Sequence, residues 1–446
     1  MADQLWQKGL PLDERIHRFT VGSDPQTDMV LAPFDVIGTA AHVRMLERVG
    51  LLPQAEASSL LGELRQLKTQ IGAGEFQIER HQEDCHTAIE QALTAGLGVA
   101  GKNVHLGRSR NDQVMLALRL YMREAMLGLE ADCLEVAAAL ANLAAANENI
   151  PMPGYTHLRK AMPSSAAMWA LAYAEGLLEE LGAAQAVLGR LDSNPLGAGA
   201  GFGVPLPLDR QYVADLLGFS KVQRNPIDVQ NSRGRHELAL AAWVSEVGNV
   251  LERFFWDVAL FSMEELGFVK LPDEFTTGSS IMPQKRNPDV IELGRAHCRQ
   301  LRGIRAEIEE VACGLPGSYH RDLQLLKEPL IRAVNSLAEL LEVVALLVPR
   351  LSFNSEACAR AMTPEIYATH EAYQRCRTLS IPFRDAYAAV GREALAGQLQ
   401  VSPEAAKVSA VDMSPAISAL KTELADWSKL LDSEYSRVQA RLEAVL

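Results

Sequence analysis

The chain has 446 residues, more than a single compact core accommodates, so about two or three domains are expected. Hydrophobic residues make up 48% and charged residues 22%, and the formal net charge is −13. No lysine- or arginine-rich run interrupts this acidic balance, which argues against a nucleic-acid partner and leaves any anion site to a local basic patch in a cleft.

Ala and Leu dominate, aromatics are only 6%, and long segments lack Gly and Pro, which together point to an all-α protein. No apolar run reaches membrane-spanning length, and Met1-Ala2-Asp3-Gln4 opens no signal segment, so a cytoplasmic chain without a membrane partner is expected. Cys85, Cys133, Cys298, Cys313, Cys358 and Cys376 form no C-x-x-C pair; they read as reduced thiols, with no metal-ligand spacing.

Residues 1–34 carry Pro11, Pro25 and Pro33 and read as an irregular arm pinned by Leu5, Trp6, Phe19 and Phe34. Helices are expected over 35–49 and 54–70, with a third opening in the segment Asp84–Glu90, giving an N-terminal helical domain over 1–106. A donor-rich segment, His105–Gln113, precedes a helical pattern over 114–147, long enough to be a bundle helix. Residues 151–158 read as a loop, and Pro163 as the first turn of a helix to 191. Gly197, Gly199, Gly201 and Gly203 mark a turn, and no strand precedes them as a dinucleotide site would require. Further long stretches cover 229–266, 289–313 and 322–348, the last interrupted by Pro329. Pro364, Pro382, Pro403 and Pro415 then separate shorter helices. The expected architecture is a central long-helix bundle over 107–350 flanked by the N-terminal domain and a C-terminal helical domain over 351–446. Apolar helices of this length expose more surface than one chain covers, so self-association is expected.

Between the third and fourth long stretches lies Gly278-Ser279-Ser280-Ile281-Met282-Pro283-Gln284-Lys285-Arg286-Asn287-Pro288. Its glycine and serines let the backbone approach a ligand, Lys285 brings a point charge, and Asn287 an amide that can fix a carboxylate. This segment resembles the signature loop of the fumarase/aspartase superfamily, whose members release fumarate by β-elimination. Gly107–Gln113, Pro153–Leu158 and Gly317–Glu328 are similar to the corresponding segments of the argininosuccinate lyases within that superfamily. The resemblance covers nearly the whole chain. It implies a homotetramer with a helical core shared among subunits, and sites built from segments of different subunits.

The implied reaction removes a proton next to a carboxylate and gathers a second negative charge on that carboxylate. Fixed donors in a dry site then supply the largest catalytic effect. Lys285, Asn287, Asn111 and Thr156 suit the two carboxylates, Arg110 and Arg233 offer bidentate contacts, and Tyr319, Gln324 and Lys327 stand in matching places. The resemblance implies His157 as catalytic, oriented by Glu292. Ser279 is read as the base, its alkoxide stabilised by Lys285 and loop amides once the loop closes, and His157 as the acid. His86 matches a histidine of the family's N-terminal domain and is read as a substrate contact, with a helix-capping or core role as the equal alternative. Ser23 stands only near the serine that binds the arginine end in relatives.

Three departures fall on that end: Leu5-Trp6-Gln7-Lys8-Gly9 replaces a Trp-Gly-Gly-Arg-Phe segment, Ser232-Arg233-Gly234 replaces Ser-x-Arg-Asp, and Leu158 is followed by Arg159 rather than Gln. The resemblance implies argininosuccinate as the small-molecule substrate, while these departures leave recognition of the arginine end less supported than the elimination chemistry. Another N-substituted aspartate such as adenylosuccinate, or a non-catalytic crystallin-like tetramer, stand as alternatives. No cofactor or metal is implied.

Overall fold

The computed structural model describes residues 13–406 and 411–446. Leu5, Trp6 and Pro11 lie outside the described residues. From residue 13 onward the expected irregular arm is helical: α1 spans Glu14–Val21, with the Asp13 carboxylate accepting from the amides of Arg15 and Ile16, and α2 spans Asp24–Arg48. Pro25 falls in the first turn of α2, where its missing N–H has no partner to lose. Pro33 sits inside the helix and costs about 3 kcal/mol. Burial of Leu31, Phe34, Val36 and Ile37 at roughly 1.5–3 kcal/mol each outweighs that cost. Phe34 joins the core, whereas Phe19 is 85% exposed and pins nothing within the chain. Among the described residues, α2 alone is long and apolar enough to cross a bilayer, and it is packed instead as a core helix against its neighbours.

Helix α3 (Gln54–Gly72) and α4 (Cys85–Leu97) pack on α2, and the Asp84 carboxylate caps α4 by accepting from the Thr87 amide at 2.9 Å. The bundle consists of α5 (Arg110–Ala146), α6 (Ala166–Leu191), α7 (Arg235–Phe261), α8 (Asp289–Ala312) and α9 (Lys327–Leu347). Pro329 lies in the first turn of α9 and does not interrupt it.

Residues 151–165 fold differently from expectation. Instead of a loop and a helix start they form an antiparallel hairpin, β1 (Pro151–Thr156) and β2 (Arg159–Ser165), in which Thr156 pairs with Arg159 and Pro153 faces Pro163. A two-stranded ribbon is all edge, so its prolines forfeit little pairing. The helix begins only at Ala166, where the Ser165 hydroxyl accepts from the Met168 amide at 3.1 Å.

After the bundle, α10 (Ala368–Leu379) and α11 (Phe383–Leu395) enclose a small core of Ala372, Ala386 and Val390. Pro415 does not separate short helices; it sits in the first turn of α12 (Ser414–Val445), which returns along α5. Leu420, Leu424, Leu431, Val438 and Leu442 of α12 belong to the same core as the bundle helices.

Candidate functional site

At the N-terminus of α5, the Ser109 hydroxyl accepts from the Asn111 amide, and Asp112 answers by accepting from the Ser109 amide at 2.9 Å. The other Asp112 oxygen accepts from the amides of Gly197 (3.0 Å) and Gly199 (2.8 Å), two glycines with positive φ. The glycine-rich turn is thus a cradle that clamps the start of α5. The clamp holds Arg110 and Asn111 at a cavity of about 160 Å³.

That cavity gathers seven of the residues singled out from the sequence: His86, Arg110, Asn111, Arg233, Tyr319, Gln324 and Lys327. It also holds carboxylates that sequence reasoning missed. Lys327 is 4% exposed, and its Nζ lies 2.5 Å from Asp28 Oδ1 and 3.0 Å from Asp24 Oδ1. Burial draws its pKa down, but Asp28 and Asp24 more than compensate, and the net direction is upward. Burial pushes Asp24 up to about 6 despite the neighbouring ammonium. The spacing of Asp24 and Asp28 puts both on one face of α2, which the sequence could have shown; their lysine partner, some three hundred residues away, it could not. Ser23 is exposed and borders an adjoining groove, while Asp24 turns into the cavity beside it.

The two arginines differ. Arg110 is occupied: Nε donates to Asp84 at 2.8 Å, Nη2 also bonds Asp84, and Glu83 lies 3.4 Å away. Arg233 is 6% exposed, its Nε and Nη2 have no hydrogen-bond partner, and its guanidinium lies 5.9 Å from the centre of the Tyr319 ring. A buried guanidinium left this way is costly unless an anion completes it. Its backbone is fixed on both sides. Glu237 Oε2 accepts from the Gly234 amide at 2.7 Å, and the fully buried Arg119, also missed from the sequence, donates to the Ser232 hydroxyl at 2.8 Å.

Among the described residues, Asp35, Cys85 and His86 form the one group of side chains whose atoms could surround a metal. However, His86 Nδ1 lies 2.9 Å from Asp35 Oδ1, a hydrogen-bond distance. Two ligands of one zinc at about 2.0 Å would stand roughly 3.3 Å apart.

The remaining predicted residues lie elsewhere on the chain. Thr156 and His157 are exposed at the hairpin tip, where His157 (φ 54°) and Leu158 (φ 57°) both adopt left-handed backbone. Histidine is among the residues found there more often, but leucine is not, and its placement costs about 1–2 kcal/mol. The signature loop is closed at its base by β3 (Thr277–Gly278) pairing with β4 (Arg286–Asn287), and Asn287 Nδ2 reaches the Gly278 carbonyl at 3.5 Å. Within the loop, Ser279 Oγ accepts from the Met282 amide at 3.2 Å, and Lys285 is exposed. Glu292 is exposed in the first turn of α8, and no hydrogen bond joins it to His157 within one chain among the described residues. None of these six residues lines the cavity.

The model of a family described as lyase matches residues 10–303. An argininosuccinate lyase of Sorangium cellulosum is 47% identical over 88% of this chain and 91% of that protein. One of Thermotoga neapolitana is 41% identical over 88% of this chain and 98% of that protein. Among solved structures, an EDDS lyase variant with bound fumarate superposes with a TM-score of 0.77 at 22% identity, covering 98% of this chain and 94% of that one. A class II fumarase of Schistosoma mansoni gives 0.71 at 17% identity over 87% and 93%. At these identities the two structures speak to the fold alone.

Proposed function

The chain belongs to the lyase family, and from that membership we propose that it cleaves argininosuccinate reversibly to arginine and fumarate. The observation that carries the reading is the convergence of Arg233, Lys327, Asn111, Tyr319 and Gln324, from separate elements, on one small cavity with a buried, unpaired guanidinium.

In this reading Ser279 takes the carbon-bound proton, and the electron pair gathers on the adjacent carboxylate held by Lys285, Asn287 and Thr156. The C–N bond then breaks, and the guanidino nitrogen receives its proton from His157, oriented by Glu292. The chemistry calls for an acid, a base and fixed donors rather than a cofactor. We propose further that the protein works as a cytoplasmic homotetramer in arginine biosynthesis, with the hairpin tip and signature loop of neighbouring subunits completing each cavity. The exposure of His157 and Lys285 in the single chain, with Leu158 74% and Ile281 83% exposed beside them, supports that assembly.

Fumarate release, followed by absorbance with argininosuccinate and adenylosuccinate in parallel, tests the proposal. Turnover of argininosuccinate alone is expected; turnover of adenylosuccinate instead, or of neither, overturns it.

A further inference from the structure

The four carboxylates lining the cavity are paired with cations. Asp24 and Asp28 share Lys327, while Glu83 and Asp84 share Arg110. Asp35, on α2 and nearly fully buried, pairs with His86, and the Arg108 guanidinium acts on it from farther away. Its Oδ1 lies 2.9 Å from His86 Nδ1, and its Oδ2 has no hydrogen-bond partner. With Nδ1 committed to Asp35 and the ring lining the cavity, Nε2 is the atom left to face the ligand.

We infer that Asp35 is a positioning residue that keeps His86 as a cationic donor toward a carboxylate of the substrate. The inference rests on the proposed reading of this cavity as the substrate site. The charge inventory around the ring supports it. Asp28 and Asp35 face it from α2, Asp84 precedes it on α4, and the neutral Cys85 thiol lies 3.7 Å from Nδ1. Arg110 from α5, Arg233 from the start of α7, Arg321, whose Nη2 donates to the Thr20 carbonyl, and Lys327 from α9 line the same cavity, but Arg110 and Lys327 are already neutralised. Burial alone would discharge the imidazole; the carboxylates, Asp35 foremost, overcome it and raise its pKa. A carboxylate entering the cavity then meets His86 as a further donor beside Arg233 and Arg321.

Asp35→Asn keeps the size and an acceptor oxygen but removes the charge. In the full-length protein labelled with ¹⁵N-histidine, the His86 ring signals are assigned by their loss in His86→Gln. They are expected to report a charged ring at pH 7.5 in the wild type and a neutral one in Asp35→Asn. With argininosuccinate, the wild-type KM is expected to stay flat from pH 6 to 8. The KM of Asp35→Asn should match it at pH 6 and rise about tenfold by pH 8, with kcat changing far less, because the charged fraction falls tenfold with each pH unit above the point where the variant's ring discharges. A KM shifted equally at every pH, or not at all, overturns the inference. So does a wild-type His86 that titrates below pH 7, which needs no variant to fold. If argininosuccinate is not turned over, the proposed reaction fails while the ring spectra still decide the role of Asp35.

Discussion

Glu130 offers a quantitative check on the burial of the bundle. It lies in the middle of α5, fully enclosed; Oε1 accepts from Gln185 Nε2 of α6 at 2.8 Å, and Oε2 has no partner. Burial pushes its pKa from 4.5 up to about 8; the amide of Gln185 opposes that rise and Glu434 of α12 adds to it. The folded state therefore holds a proton that the unfolded chain releases, and this stabilising contribution is complete below pH 4.5 and lost progressively as the pH climbs to about 8. At pH 7 the loss is about 3 kcal/mol, the distance from 4.5 at roughly 1.4 kcal/mol per unit, and above pH 8 it levels off near ~5 kcal/mol. Glu130→Gln keeps the shape and the contact to Gln185 while abolishing the ionisation. Urea unfolding of the two proteins, at matched concentration, should show the variant more stable by about 3 kcal/mol at pH 7, by under about 1 kcal/mol at pH 5, and by more at pH 9. A difference that stays constant with pH would refute the reasoning, because the gain would then come from packing rather than from a proton.

Three further outcomes follow from the site. Ser279→Ala should lower turnover by several orders of magnitude while size-exclusion chromatography shows the same assembly as wild type; near-normal turnover would remove Ser279 from the base role. Leu158→Gly should relieve left-handed strain and stabilise the isolated chain by about 1 kcal/mol in thermal unfolding, since Leu158 is 74% exposed and loses little burial. Turnover should fall as the backbone beside His157 loosens. Gly294→Ala should destabilise by about 2 kcal/mol, because a Cβ there stands 2.3 Å from Phe255 Cζ, a fully buried ring with nowhere to go. The better helix propensity of alanine, worth up to about 1 kcal/mol, offsets only part of this, and a melting temperature unchanged or raised would show that α7 and α8 can separate.

Much of the fold was legible because long bundle helices carry sustained apolar patterns that survive ignorance of their partners. What misled was proline. Pro25, Pro33, Pro329 and Pro415 were weighed as breakers, but three of them sit in first turns and the fourth is outbid by core burial. The hairpin at 151–165 escaped notice because its prolines and glycine hide any alternation. The donors of the site were legible as residue types, and seven of them do meet at one cavity. The carboxylates that hold those donors were not, because Asp24, Asp28 and Asp35 look like ordinary acids on a helix until Lys327 and His86 are folded against them.

Arg44 Nε of α2 donates to the carbonyl of Val445 at 2.6 Å, and α12 lines the flank of α5 from Leu420 to Leu442. Bundle helix α5 is thus covered by a helix made much later in the chain. During synthesis, a strip of alanines and leucines on α5 stays bare through nearly three hundred further residues, a long invitation to chaperones or to the wrong neighbour. Premature termination anywhere before residue 414 would leave that strip permanently uncovered.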